Sequence, residues 1–204
     1  MDSTDQNQET RFRFRDRSVP RRYPHVCEAL QTFTSNGTVN LEVGCGGKQY
    51  EPFVQGRHLG LDLQRGLYAG QGADTIGSAI HMPIRSASVD LVFMVATLLF
   101  MDEWRRPLEE SCRVLKEGGR LVIFDYKPRT AVRLGYPGRF TPADVVTKLR
   151  SHGVESREHS EFLSLYHIGP LRFTALRRQV SRAVYMAGRW IIVSGVKDTA
   201  VNKS

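Results

Sequence analysis

Two short apolar runs each end in residues capable of cofactor chemistry. The first closes on a glycine-rich turn, Leu41-Glu42-Val43-Gly44-Cys45-Gly46-Gly47, and the second, His58-Leu59-Gly60-Leu61-Asp62-Leu63, carries an acidic residue 18 positions beyond Gly44. Glycine lets the backbone turn tightly and approach a ligand without interference from a Cβ, and an acidic side chain at the end of the next strand can accept hydrogen bonds from both hydroxyls of a ribose. Either signal alone also fits a plain connection, a strand-to-helix turn or a turn cap. Their spacing points to a ribose-bearing cofactor. A nicotinamide dinucleotide is one such cofactor, but the third glycine of its fingerprint would fall at Gln49, which leaves the oxidoreductase reading without a key element.

The elements that must position these residues are legible as alternating strands and helices. His25 to Phe33 reads as a short helix, and Val39 to Val43 and His58 to Leu63 as buried parallel strands. Val89 to Ala96 is almost uninterrupted apolar sequence, as expected of a strand covered on both faces. Pro107 suits the first residue of a helix that Gly118-Gly119 would end, and Arg120 to Asp125 is the next strand. Thr141-Pro142-Ala143-Asp144 supplies an N-cap, a first-turn proline and an acidic third position for a helix ending at Gly153. Beyond it, Phe162 to Tyr166 reads as a strand, residues 170–188 as a helix and Trp190 to Val196 as a final strand. The pattern predicts an α/β fold with a mostly parallel central sheet and helices on both faces.

Glu42-Val43-Gly44-Cys45-Gly46-Gly47, Gly60-Leu61-Asp62-Leu63, the run from Met82 to Val92 and Arg113-Val114-Leu115-Lys116-Glu117-Gly118-Gly119 occur in an order and spacing that resembles the class I S-adenosylmethionine-dependent methyltransferases, over roughly residues 39 to 126. That resemblance implies a Rossmann-like methyltransferase fold and S-adenosyl-L-methionine as cofactor. It implies that Glu42, Gly44, Cys45 and Gly46 lie beside the methionine moiety and that Asp62, with Leu63, meets the ribose. Ser78, Ala79, Ile80 and His81 would line the adenine, and Met94 and Val95 would present backbone at the end of the fourth strand. The stretch from Arg113 to Gly119 is a family marker of a structural kind, turning the chain from helix into strand.

The chain departs from the family pattern in several places. Ser78 stands where many relatives carry an acidic residue for the adenine amino group. The 15 residues between Asp62 and Ser78 leave room for a loop and a short third strand, and residues 47–57 for only a short first helix. Leu99 and Phe100 occupy positions where relatives often show a pair of histidines, removing one candidate base. Methyl transfer from a sulfonium needs mainly proximity, orientation and exclusion of water, and a base only if the acceptor must lose a proton. His81, Tyr126, Tyr166 and His167, or Tyr23 and His25 from the N-terminal side, are candidates, with no catalytic residue assigned. Cys45, inside the cofactor turn and with no histidine fixed beside it, reads as a packing residue rather than a nucleophile. The segment after the fourth strand, Met94 to Trp104, lacks the Asn-Pro-Pro-aromatic signature of amino-group methylation on nucleobases, which favours a small-molecule acceptor.

The 204 residues suit one domain, 19–204, behind a flexible basic arm, 1–18. The opening residues lack a secretory pattern, no apolar run approaches membrane-spanning length, and three scattered cysteines suggest neither a disulfide framework nor a metal site, so a cytoplasmic location is expected. The net charge of +8 concentrates in two places: Arg11 to Arg22, interleaved with Phe12 and Phe14, and Arg172 to Arg189. Each could meet a polyanion, RNA for the arm or an anionic membrane for the helix, or could be a solvated tail and a solvated helix face. A scaffold that keeps the fold without catalysis, and an RNA-directed methyltransferase, are the alternatives to a small-molecule enzyme.

Overall fold

The computed structural model describes residues 24–63, 72–159 and 190–199. Helix α1 (Pro24–Phe33) leads into strand β1 (Val39–Val43), followed by β2 (Arg57–Asp62), β3 (Thr75–Ile76), β4 (Val89–Val95), α2 (Arg105–Val114), β5 (Leu115–Tyr126), α3 (Pro128–Arg133), α4 (Pro142–Arg150), β6 (Val154–Glu158) and β7 (Trp190–Lys197). The strands form one sheet in the order β3-β2-β1-β4-β5-β7-β6. β1 to β5 run parallel, while β7 is antiparallel to both β5 and β6.

Successive strand residues point to opposite faces, and both faces of β4 are covered. Val92 and Met94 join Leu41, Val43, Leu121 and Ile123 under Leu108 and Cys112 of α2 and Val145 and Leu149 of α4. Leu91 and Phe93 join Val122, Phe124 and Ile192 under Val26, Ala29 and Leu30 of α1. The expected mostly parallel sheet with helices on both faces is therefore the observed fold. α4 begins with the reciprocal cap that its sequence encodes: the Thr141 hydroxyl accepts from the Asp144 N–H while the Asp144 carboxylate accepts from the Thr141 N–H at 2.7 Å. Gly153 follows in the left-handed region at φ +70°.

The structure corrects the sequence reading in two places. α2 starts at Arg105, making Pro107 its third residue, and stops at Val114 rather than at Gly118-Gly119. Leu115 already pairs with Val89, and the register jumps so that Arg120 pairs with Leu91. A bulge thus absorbs Lys116 to Gly119, with Gly118 at φ +70° supplying the bend. β6 was not legible in Val-Glu-Ser-Arg-Glu, because an edge strand with two buried side chains, Val154 and Ser156, leaves little apolar signal. The connection after β1 holds only a three-residue 3-10 turn, Glu51–Phe53. The basic arm, the segment 162–166 and the helix expected at 170–188 lie outside the described residues.

Candidate active site

Strand order reverses between β1 and β4, and the chain leaves both strands at the same edge of the sheet, the place where open α/β sheets bind ligands. Gly44 has φ +73° and Gly46 φ +51°. A Cβ on Gly44 would stand 2.5 Å from Thr97 Cγ2, so only glycine lets the two loops meet here. Thr97 seals the contact by placing its hydroxyl 3.1 Å from the Val43 carbonyl. The N–H groups of Gly44 and Cys45 both donate to the Leu61 carbonyl, at 2.8 and 3.2 Å, fastening the turn to β2. Beside it, Ala96 also lies at positive φ, +50°, a conformation that L-residues adopt only under constraint.

Asp62 binds the turn as well as facing the opening. Its carboxylate accepts from the N–H of Gly46 at 2.8 Å and of Leu63 at 2.7 Å, and the side chain is only partly buried. Each carboxylate oxygen retains a second acceptor direction. Glu42 lies deeper. Its side chain is 3% exposed, and its Oε2 stands 2.9 Å from His58 Nε2 without the alignment of a hydrogen bond. Burial raises the Glu42 carboxyl above the usual carboxylate range, opposed by His58 and Lys48. Cys45 packs over Gly60, where a Cβ would lie 2.6 Å from its sulfur. Burial, with the charges of Glu42 and Asp62 nearby, pushes the Cys45 thiol up to about 12, consistent with the packing role.

The loop running from Ser78 to Ile84 is held from behind. Glu110 of α2 accepts from the Met82 N–H at 2.7 Å, and the Arg113 guanidinium bridges Glu110 to the carbonyls of Met82 and Ile84. This is the work done by the arginine of the structural marker. A second brace lies under the fourth strand's end: the fully buried Asp125 accepts from the N–H of Leu98 at 2.9 Å, Leu99 at 3.3 Å and Tyr126 at 2.7 Å. Burial pushes its carboxyl up to about 7 against these donors.

Between these elements lies a cavity of about 760 Å³. Glu42, Gly44, Cys45, Gly46, Asp62, Leu63, Ser78, Ala79, Ile80 and Val95 all line it. His81 and Met94 do not: His81 is exposed at the far side of the Ser78–His81 turn, and the Met94 side chain is fully buried in the core. Apart from Tyr126, the sequence reading missed the opposite wall, formed with it by Leu99, Phe100, Met101, Asp102, Glu103, Leu134, Tyr136 and Trp190. There Phe100 meets Tyr136 edge-on at 4.9 Å between ring centroids, and Tyr126 lies against Trp190 at 4.4 Å. Of the candidate bases, Tyr126 is on the wall; Tyr23, Tyr166, His167 and the side chain of His25 lie outside the described residues.

Sheet order and cleft together define a Rossmann-like fold of the methyltransferase type. A SAM-dependent methyltransferase from Thermotoga maritima superposes with a TM-score of 0.60 at 17% identity, covering 94% of this chain and 95% of its own. Residues 41–123 match the family model described as a methyltransferase domain. That match takes in about two fifths of the chain, and over it the chain is similar to methyltransferase domains. Two curated relatives are each 30% identical over 108 residues: malonyl-[acyl-carrier protein] O-methyltransferase of Methylococcus capsulatus, matched over 46% of this chain, and O-methyltransferase resE of Aspergillus sclerotiorum, over 45%. The matched stretch spans 39% and 41% of those two proteins.

Proposed function

We propose that this protein transfers a methyl group from S-adenosylmethionine to a small-molecule acceptor, with Glu42, Gly44, Cys45, Gly46, Asp62, Leu63, Ser78, Ala79, Ile80 and Val95 forming the cofactor half of the cavity. The observation that carries this reading is the junction of Gly44 and Thr97 at the strand-order switch, with Asp62 beside it. The residues fit the cofactor in two respects. The absence of a Cβ at Gly44 lets the β1 turn and the β4 loop close into one floor, and Asp62 faces the opening with acceptor directions left for a ribose diol. When bound, S-adenosylmethionine supplies an electrophilic methyl carbon on a sulfonium.

The chain's own contribution is then positional. Asp62 fixes the ribose, Glu42 sets a negative or hydrogen-bonding group beneath the methionine end, and the Ser78–His81 turn, held by Glu110 and Arg113, forms the adenine wall. The aromatic wall from Phe100 to Trp190 holds the acceptor against the reacting end and displaces water, the contribution this chemistry most needs. The volume falls in the ~300–1,000 Å³ range of small-molecule sites, which favours a small acceptor over a macromolecular one. Cys27, Cys45 and Cys112 are all free and buried, and a cytoplasmic setting belongs to the same proposal. Among the described residues no helix is long and apolar enough to cross a membrane.

The test is calorimetric titration with S-adenosylmethionine, S-adenosylhomocysteine and NAD, followed by a labelled-methyl screen against pooled small molecules and RNA. Binding of the first two ligands and not NAD, with label entering a small molecule, is the expected result. Binding of NAD alone, or of none of the three, removes the proposal.

A further inference from the structure

Although the chain carries a net charge of +8, the cavity wall built by the described residues holds four carboxylates, Glu42, Asp62, Asp102 and Glu103, and no lysine, arginine or histidine. Two of these carboxylates carry arginine partners that do not themselves line the cavity: Arg139 pairs with Asp102, and Arg106 lies 3.9 Å from Glu103 while pairing more closely with Glu109 at 3.1 Å. Deep in the cavity, the Glu42 side chain is 3% exposed with its Oε2 lacking an aligned hydrogen bond. The same cavity is lined by two aromatic pairs, Phe100 with Tyr136 and Tyr126 with Trp190.

We infer that the acceptor is an aromatic-sized molecule that is neutral or carries a positive charge, and that carboxylate- or phosphate-bearing acceptors are excluded; this rests on the methyltransferase reading above. An anion entering the cleft would give up its water shell, a cost that must be met by a paired cation or by hydrogen-bond donors. The described wall lines the cleft with no cation, with the Glu42 and Asp62 carboxylates on one side and, at the rim, Asp102 paired with an arginine and Glu103 only distantly so. A neutral ring loses little on entry and gains apolar contact with four aromatic side chains. An ammonium group gains further, since the faces of tryptophan, tyrosine and phenylalanine attract cations and the rim carboxylates add a Coulombic term that salt screens. The inference sets this cavity apart from one built to seat a carboxylate or phosphate, where arginine forks are the usual device.

The experiment keeps ring and size constant and varies charge alone. Protein is first titrated with S-adenosylhomocysteine, and the saturated complex is then titrated with three matched pairs: tryptamine and indole-3-acetate, tyramine and 4-hydroxyphenylacetate, benzylamine and benzoate, with indole and phenol as neutral references. The expected result is that, in at least one series, the amine or the neutral compound binds at least tenfold more tightly than the acid. The amine's advantage should shrink between 50 and 500 mM salt. The double variant Asp102→Asn, Glu103→Gln should narrow the amine-to-acid ratio by about threefold or more. Acids binding as well as amines, binding by no amine or neutral compound in any series, or an unchanged ratio in the double variant would each overturn the inference. Failure of S-adenosylhomocysteine itself to bind would overturn the methyltransferase reading instead, and this inference with it.

Discussion

The two halves of the cavity are built in different ways. The half proposed to hold the cofactor rests on backbone: a turn that needs glycine at φ +73°, a carboxylate that accepts two backbone N–H groups, and a loop held by its carbonyls to Arg113. The aromatic half rests on side chains from separate segments, with Phe100 following β4, Tyr126 ending β5, Tyr136 following α3 and Trp190 opening β7. Backbone geometry restricts residue type at each position, so the first half tolerates few substitutions. A side-chain wall admits many residues of similar shape, so the second half can change its ligand without changing the fold.

Substitutions can separate the two. The largest effect is expected for Gly44→Ala, which combines left-handed strain with a Cβ 2.5 Å from Thr97 Cγ2. Overpacking of this kind costs about 1–3 kcal/mol and left-handed backbone about 1–2 more. S-adenosylhomocysteine affinity should fall at least a hundredfold by calorimetry. An affinity within threefold of the wild type would show that the turn does not shape the ligand site.

Asp125→Ala strikes the aromatic half, since the carboxylate underlies the Leu98 turn and the Tyr126 backbone. Three donors lose their acceptor, and a loss of about 3 kcal/mol is expected in urea unfolding. The pH dependence has a definite sign. With a folded-state value of about 7 against an ordinary 3.8, the native state holds the proton more tightly than the unfolded chain. Asp125 therefore contributes most stability below about pH 4, and its contribution declines as pH rises to about 7, by at most ~1.4 kcal/mol per pH unit. The wild type's advantage over the alanine variant should shrink across that window. An advantage that grows with pH would contradict the assignment.

Asp62→Ala should weaken binding of S-adenosylmethionine and S-adenosylhomocysteine alike by about one to three powers of ten, at ~1.4 kcal/mol per power. Because the same carboxylate accepts from the Gly46 N–H, unfolding stability should also fall by about 1 kcal/mol. Affinity lost with stability unchanged would mean that the turn holds its shape without it. The smallest effect is expected for Ala96→Gly, which removes left-handed strain of about 1 kcal/mol but adds backbone freedom to the unfolded chain. A net change within about 0.5 kcal/mol of zero is anticipated in urea unfolding. A loss above 1 kcal/mol would show that the alanine methyl packs in the cleft.

How much was legible follows the same division. β1 was placed at its observed bounds, and β2 and β4 within a residue of theirs: β4 reads as a nearly unbroken apolar run, while β1 and β2 are closed by the glycine turn and by Asp62. Asp62 and the glycines were legible because few residue types serve their roles. Thr97 carried a weaker signal: a small polar residue directly after the fourth strand, decisive only once Gly44 is seen against it. Phe100, Tyr136 and Trp190 carried none, because their approach is created by the crossing of β4, β5 and β7 and by no spacing along the chain. The Arg113 to Gly119 marker was recognised as structural, but its bulge was hidden, since Lys-Glu-Gly-Gly reads equally as a helix end.

The three-residue turn that replaces a first helix has a consequence for ligand choice. A helix starting after the glycine turn would aim a row of free amide hydrogens and the positive end of its macrodipole into the cleft, which is how dinucleotide folds neutralise a pyrophosphate. Glu51–Phe53 is too short to build such a dipole, and its first residue is acidic. A diphosphate bridge placed there would find no helix dipole to rest on. S-adenosylmethionine, joined from sugar to amino acid through sulfur with no phosphate anywhere, asks for none.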